Sequence, residues 1–193
     1  FTGNYYVYSV KSGSWTTLEF MSPNSLGSDR VSSTQRSVQL HGFAELHPVG
    51  SQTFAFQNRE FSFTAGADHR VRVDADEAFE LRSPVEFGRG ATISKVGDGI
   101  WAIGGSVRVS GSGNAPVVNV SEGCIRTDNS RALVETSVMV ADGAGLAAKF
   151  RQDDMSEVAT YGMIVADASK FSVAGNSLVF RNGDAGVVHN LLA

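Results

Sequence analysis

The chain of 193 residues is poor in cysteine, proline and lysine. Its single cysteine, Cys124, cannot form a disulfide within the chain, so a sizeable buried core has to supply the stability that disulfides give to small secreted domains. The formal net charge is −4 at pH 7, and the four lysines do not cluster with one another or with the scattered arginines. Because a nucleic-acid-binding protein presents a basic face, we expect no nucleic-acid partner.

Long apolar runs are missing as well. No stretch approaches the ~20 consecutive apolar residues of a membrane-spanning helix, so we expect no membrane insertion. The first residue is Phe1 rather than Met, which suggests a fragment of a longer protein and leaves a signal peptide unjudged.

Motifs for metal binding and catalysis are also lacking. The histidines His41, His47, His69 and His189 do not have the spacing of metal ligands, and there is no second cysteine to join them. No Gly-x-Ser-x-Gly segment marks a serine nucleophile. We therefore expect no metal, no cofactor and no catalytic residue, and a protein that is not an enzyme. Paired carboxylates for glycoside cleavage cannot be recognised without geometry, so a glycan-cleaving enzyme stays an alternative.

The sequence is rich in short segments in which apolar and polar residues alternate with a period of two. This period is typical of half-buried β-strands, and turn-forming residues separate the segments. The pattern predicts an all-β protein of short antiparallel strands, folded as a sandwich, jelly roll or barrel. We expect strands over 5–10, 15–20, 38–45, 53–57, 60–65, 69–73, 78–82, 92–95, 100–109, 117–120, 132–140 and 161–166.

Three segments carry more particular predictions. In the predicted strand 100–109, the residues Trp101, Ile103, Val107 and Val109 share one face, and the pair Gly104-Gly105 indicates a bulge or a close backbone approach. Residues 171–180 have the pattern of a hairpin, with a turn over Ala174-Gly175-Asn176. Only residues 144–158 have a helical pattern.

Residues 87–109 resemble a segment of a known superfamily. The segment consists of Phe87-Gly88-Arg89-Gly90-Ala91-Thr92-Ile93-Ser94-Lys95-Val96-Gly97-Asp98-Gly99-Ile100-Trp101-Ala102-Ile103-Gly104-Gly105-Ser106-Val107-Arg108-Val109. It is similar to the central part of the tumour-necrosis-factor and complement-globular-head proteins. In that superfamily a glycine, an aliphatic residue and an aromatic residue open a strand, and Gly99, Ile100 and Trp101 match this order. The aromatic strand Phe61-Ser62-Phe63 lies at a suitable distance upstream.

The resemblance implies a trimeric antiparallel jelly roll, the fold of this superfamily. It places a jelly-roll head domain at 50–193 and a base or shaft-proximal β segment at 1–49. It also implies that the core, and with it a possible trimer interface, contains Trp101, Ile103, Phe87 and Val107. Composition and size are similar to those of bacteriophage spike and fibre heads, in particular the vertex spikes of tailless, membrane-containing phages of the tectivirus type.

This resemblance implies a function on the virion surface. We expect a non-enzymatic spike or fibre head that attaches the virus to a host-cell receptor, either protein or glycan. The expected partners are two further copies of the chain, the receptor, and other virion proteins on the N-terminal side. Specificity is expected in the loops 22–30, 110–116, 121–131 and 141–157. The alternatives are a structural capsid or decoration protein, a tailspike-type glycan-cleaving enzyme, and a carbohydrate-binding module that exposes Tyr5, Tyr6, Tyr8 and Trp15.

Two further patterns have ordinary structural explanations. The carboxylates Asp74, Asp76 and Glu77 are hard ligands of the kind that Ca²⁺ takes, but an exposed acidic turn accounts for them, and the same holds for 128–129 and 153–154. The segment 142–148 imitates a dinucleotide fingerprint, with Gly143-Ala144-Gly145 before a possible helix. Asp142 would repel phosphate there, so a surface loop explains the segment better.

Overall fold

The structure, a computed structural model, describes residues 4–9, 13–26, 36–57, 59–129, 132–133, 135–141, 143–149, 162–164, 171–174 and 177–181. One short 3-10 helix, Pro23–Leu26, lies among these residues, and the regular structure is otherwise β. No described helix has the length and apolar character needed to cross a membrane. The strands are β1 Tyr5–Ser9, β2 Thr16–Phe20, β3 Arg36–Gly42, β4 Ala44–Pro48, β5 Gln52–Phe54, β6 Arg59–Phe63, β7 Asp68–Arg72, β8 Ala78–Leu81, β9 Val85–Gly88, β10 Thr92–Val96, β11 Ile100–Ile103, β12 Val107–Ser110, β13 Val117–Val120, β14 Cys124–Thr127, β15 Ser137–Val140, β16 Gly145–Lys149, β17 Gly162–Ile164, β18 Phe171–Ala174 and β19 Ser177–Arg181.

The strands form three sheets that the chain visits in turn. Sheet A has the order β1-β3-β6-β9-β12, sheet B the order β17-β15-β13-β10-β7-β4-β2, and sheet C the order β18-β19-β16-β14-β11-β8-β5. A strand therefore pairs with a strand that lies one full circuit later in the sequence, not with the next strand along the chain. Such an arrangement is a β-solenoid of about five turns, in which each circuit is one coil.

The pairing is parallel throughout the coils. In sheet A, Val38 lies beside Phe61, which lies beside Val85, which in turn lies beside Val107. Parallel strands need a long connection from the end of one to the start of the next, and here the other strands of the same coil provide it. The exception is at the C-terminal end, where β18 and β19 form an antiparallel hairpin that pairs with β16.

The predicted antiparallel jelly roll, and the resemblance to tumour-necrosis-factor-like heads that implied it, are wrong. Most predicted strands exist, but the short connections between them are corners where the chain passes from one sheet to the next, not hairpin turns. Residues 64–67, for example, lead from β6 in sheet A to β7 in sheet B. The expected domain boundary between residues 49 and 50 lies within one coil, between β4 and β5.

The segment 100–109 shows this difference most clearly. The predicted single strand is wrong, because the chain turns at 104–106 between β11 of sheet C and β12 of sheet A. The predicted close approach is confirmed: a Cβ atom on Gly105 would lie 1.9 Å from the carbonyl oxygen of Ser83 on the preceding coil. The C-terminal hairpin is also confirmed. A helix over 144–158 is wrong for the described part, since Gly145–Lys149 is a strand.

Stacked apolar rows from successive coils fill the interior. One row of sheet C contains Phe79, Trp101, Ile125 and Leu146, each beside the next in register and each buried. Burying a large apolar side chain stabilises the fold by about 1.5–3 kcal/mol. Phe63 joins sheet A to this row, with its ring centroid 6.0 Å from that of Trp101.

Two polar side chains interrupt the inner rows of sheet B. His69 is fully buried, with Nε2 3.0 Å from the carbonyl oxygen of Thr64, and burial lowers its pKa. Lys95 is also fully buried, and occupies the row position between Val71 and Val120. Its Nζ donates hydrogen bonds to the backbone carbonyls of residues 96, 97 and 122 and so ties two successive coils together at a corner. Burial lowers the pKa of Lys95 to about 8.

The close approach at Gly105 predicts a position-specific loss of stability. In Gly105→Ala the new methyl group has to displace backbone of the preceding coil, so we expect the free energy of unfolding to fall by about 2 kcal/mol or more. Gly104→Ala is the matched control, because the nearest atom to its Cβ is the side-chain Cγ of Arg82 at 3.4 Å. Urea denaturation of both variants measures the difference, and equal losses would contradict the stacking of coils at this corner.

The buried Lys95 predicts a pH dependence of stability. Its lowered pKa means that the folded state disfavours the charged amine. Below pH 8 the amine is charged in both the folded and the unfolded state, so the full free-energy cost of burying the charge is present. Between pH 8 and its ordinary pKa of 10.5 the folded protein loses the proton while the unfolded chain keeps it. The free energy of unfolding of the wild type, relative to Lys95→Met, should therefore rise over this interval, by up to about 3 kcal/mol.

Denaturation of both proteins from pH 6 to 10.5 tests this prediction. The opposing effect of Cys124, whose pKa burial raises to about 12, is present in both proteins. If the free energy of unfolding of the wild type relative to Lys95→Met stays level or falls as the pH rises, then burying the charged amine of Lys95 costs no free energy.

Candidate functional site

The outward side of sheet A carries the most distinctive group of side chains. Along each strand the residues alternate between the interior and this side, and successive coils place them in register. One row crosses all five strands and consists of Tyr6, Gln39, Ser62, Glu86 and Arg108. We call this row, together with Tyr8, His41 and Glu60, the sheet A face. At about 4.8 Å per strand the face is about 19 Å long.

Aromatic rings occupy one end of the sheet A face. Tyr6 and Tyr8 are 53% and 56% exposed, an unusual amount for such large side chains. The ring of Tyr8 stacks on that of His41, with centroids 4.4 Å apart and an interplanar angle of 10°, and the rings of Tyr6 and Tyr8 are 6.2 Å apart. Burial lowers the pKa of His41, so its ring is neutral at pH 7. This end is an uncharged aromatic platform open to solvent.

A charged cluster occupies the other end. Arg108 donates from Nε to Oε1 of Glu60 at 2.8 Å and from Nη2 to Oε2 of Glu60 at 3.1 Å, and the same Nη2 lies 2.9 Å from Oε2 of Glu86. The hydrogen bond with Glu60 raises the pKa of Arg108 further above its ordinary value. The hydroxyl groups of Ser62 and Ser110 donate to Glu86. Arg108 therefore links the two carboxylates in one hydrogen-bonded cluster.

Hydrogen bonds also fix the polar side chains between these two ends. Nε2 of His41 lies 3.2 Å from Oε1 of Gln39, and Nε2 of Gln39 donates to the hydroxyl oxygen of Ser37 at 2.8 Å. Fixed polar groups next to exposed aromatic rings suit a ligand that has apolar faces and many hydroxyl groups, because each ring stacks while the neighbouring side chains exchange hydrogen bonds.

The core residues proposed from the sequence are in the interior. Trp101, Ile103 and Phe87 are fully buried, and Val107 is partly buried against the same apolar cluster. The solenoid itself encloses the first three side chains, which leaves none of their surface for contact with a second subunit.

The other sequence-derived candidates lie apart from the sheet A face. Asp74 accepts hydrogen bonds from Arg72 at 3.0 Å and from His47 at 3.1 Å, and the bond from Arg72 is the larger cause of its lowered pKa. Within the described ranges, no three His, Cys, Asp or Glu side chains are placed to hold a metal ion. In the segment that imitates a dinucleotide fingerprint, Gly145 begins a strand, so no helix N-terminus faces a phosphate there. Residues 142 and 153–154 lie outside the described residues.

Of the tyrosines and tryptophan singled out in the sequence, the structure places Tyr6 and Tyr8 on the sheet A face. Tyr5 packs against the core, and Trp15 contacts Phe43 and Arg70 instead. Sequence reasoning missed Glu60, Glu86 and Arg108. In the sequence these three residues are separated by about one coil each, and this spacing can be recognised only when the repeat is known.

Comparisons with protein-family models, with curated proteins and with solved structures found no match to this chain. The geometry of the chain itself is therefore the basis for assigning a function.

The charged cluster predicts a measurable effect of removing Arg108. In Arg108→Gln the buried carboxylate of Glu60 loses its two hydrogen bonds from the guanidinium group, which should lower the free energy of unfolding by about 1–3 kcal/mol after allowance for the exposure of Arg108. Arg82→Gln is the matched control, because Arg82 is similarly exposed but pairs with Glu80, which also contacts Arg126. Thermal or urea denaturation compares the two variants. A loss no greater than that of Arg82→Gln would contradict the role given to Arg108.

Proposed function

We propose that this protein is a non-enzymatic attachment domain that binds a neutral cell-surface glycan on the sheet A face. The observation that supports this most is the exposed aromatic pair, Tyr6 and Tyr8, at the end of a flat row of hydrogen-bonding side chains. Sugar rings have apolar faces that stack on aromatic rings and hydroxyl groups that bond to planar polar side chains. A face about 19 Å long accommodates several sugar units in line.

The charge of the face favours a neutral glycan over an acidic one. Glu60 and Glu86 carry two negative charges against the single positive charge of Arg108, and His41 is neutral at pH 7. An acidic polysaccharide would be repelled by this excess, whereas sugar hydroxyl groups donate readily to carboxylate oxygens.

Glycan cleavage is the second candidate, because Glu60 and Glu86 lie on the same face. Cleavage by a carboxylate pair requires one protonated acid. The two carboxyl groups must also flank the scissile bond, and here Nη2 of Arg108 lies between them, 3.1 Å from Glu60 and 2.9 Å from Glu86, and occupies that space. We therefore assign the pair to binding, and product release from a bound glycan would contradict this assignment.

The setting on a virion, with a homotrimer and a host receptor, stays a prediction from the sequence. The jelly-roll resemblance that first suggested it no longer supports it. Light scattering would show about three times 20.5 kDa for the trimer, and competition of the isolated chain with viral adsorption would test the setting.

Binding to a panel of neutral, acidic and amino oligosaccharides tests the proposed function. We expect a neutral oligosaccharide to bind, and Tyr6→Ala and Tyr8→Ala each to weaken its affinity about tenfold, because each ring provides ~1 kcal/mol or more of stacking. Met139→Ala is the control, since Met139 is an exposed apolar side chain on sheet B. Absence of glycan binding, or affinity unchanged in both tyrosine variants, would refute the proposal.

A further inference from the structure

Sheet B carries a separate cleft with charged walls. Its volume is about 290 Å³, at the lower end of the range of small-molecule sites, which begins near 300 Å³. The cleft lies over β4, β7 and β10 and the corners that follow β7, β10 and β13. It is lined by Glu45, Arg70, Arg72, Asp74, Val96, Gly97 and Glu122.

Two opposite charges stand side by side in this cleft without pairing. Glu45 and Arg70 occupy paired register positions on β4 and β7. Opposite charges in such positions ordinarily attract each other. Among the described residues, however, no ion pair within 4.0 Å joins Arg70 to a carboxylate.

A neutral group holds each of these charges in place. Oε1 of Glu45 accepts a hydrogen bond from the hydroxyl group of Thr17 at 3.1 Å. The guanidinium carbon of Arg70 lies 3.9 Å from the ring centroid of Trp15. Glu45 is only 8% exposed, and no cation of the described residues lies within 4.0 Å of its carboxylate, although the charge of Arg72 acts on it over a longer distance. The pair is therefore arranged as two separate, preorganised charges.

The rest of the cleft is already neutralised. Asp74 pairs with Arg72 and His47, and Oε2 of Glu122 accepts a hydrogen bond from the backbone N–H of Gly97 at 2.5 Å. The amine of Lys95 lies beneath the floor, bonded to backbone carbonyls of the corners. The carboxylates Glu45, Asp74 and Glu122 are thus balanced by Arg70, Arg72 and Lys95, so a ligand with a net charge gains little.

We propose that this cleft binds an amino-acid-sized zwitterion, with its ammonium group on Glu45 and its carboxylate on Arg70. Glu45 and Arg70 lie in register on neighbouring strands, so a small ligand that carries both an ammonium and a carboxylate group can contact both side chains at once. The ammonium group forms the close ion pair that Glu45 does not make with the described residues, and a carboxylate forms two parallel hydrogen bonds with a guanidinium group.

Calorimetric titration of the full chain with the twenty common L-amino acids tests the proposal. The tightest ligand is then compared with its two single-charge analogues, the amine without the carboxylate and the acid without the amine. We expect each analogue to bind at least tenfold more weakly. Absence of amino-acid binding, or an analogue that binds as tightly as the zwitterion, would overturn the proposal.

Variants assign the two charges. Glu45→Gln and Arg70→Gln should each weaken binding tenfold or more, with thermal unfolding to confirm that both proteins fold. Arg82→Gln, at the exposed residue that follows β8, and Tyr8→Ala, on the sheet A face, should bind as the wild type does. Wild-type affinity in both cleft variants would refute the site, and this result would leave the glycan proposal standing.

Discussion

The structure depends on one constraint, the parallel pairing of each strand with the strand one coil later. The fixed spacing of about 4.8 Å between paired strands brings successive coils into close contact at every strand and corner. It aligns Phe79 with Trp101 and Ile125 inside, and it leaves no room for a side chain where Gly105 passes the backbone of Ser83. The apolar interior is continuous because the register is maintained from one coil to the next.

The same constraint creates both proposed sites. Residues that are far apart in the sequence become neighbours on a flat surface, as in the row from Tyr6 to Arg108, to which each of the five strands of sheet A contributes one side chain. Functional groups on such a surface are held by the sheet and by their hydrogen bonds rather than by loops. This rigidity reduces the entropic cost of binding an extended ligand. The cleft on sheet B has the same origin, since Glu45 and Arg70 meet there only through the register of β4 and β7.

Local sequence patterns were sufficient to locate most strands but not to pair them. The alternation around Phe61 and Phe63 reports burial on one side of a strand, and it is identical in parallel and antiparallel sheets. The corner glycines, such as Gly66, are also the residues that hairpin turns use. The distinguishing signal is a repeat of roughly 22–25 residues, visible in Phe79, Trp101 and Ile125. The corners differ in length from one coil to the next, so the repeat is not exact and is hard to recognise in the sequence. The exposure of Tyr6 and Tyr8 was accessible from the sequence, whereas the clustering of Glu60, Glu86 and Arg108 was not, because it follows from the pairing.

Nuclear Overhauser contacts between side chains of sheet A measure the coil register most directly. The account predicts cross-peaks between the ring of Phe61 and the methyl groups of Val85, and between the methyl groups of Val85 and Val107, because these residues occupy one inner row on successive coils. Backbone contacts should show the evenly spaced pattern of parallel strands. Antiparallel contacts between strands adjacent in the sequence, such as β6 with β7, together with absence of the contact between Phe61 and Val85, would contradict the solenoid and with it both proposed sites.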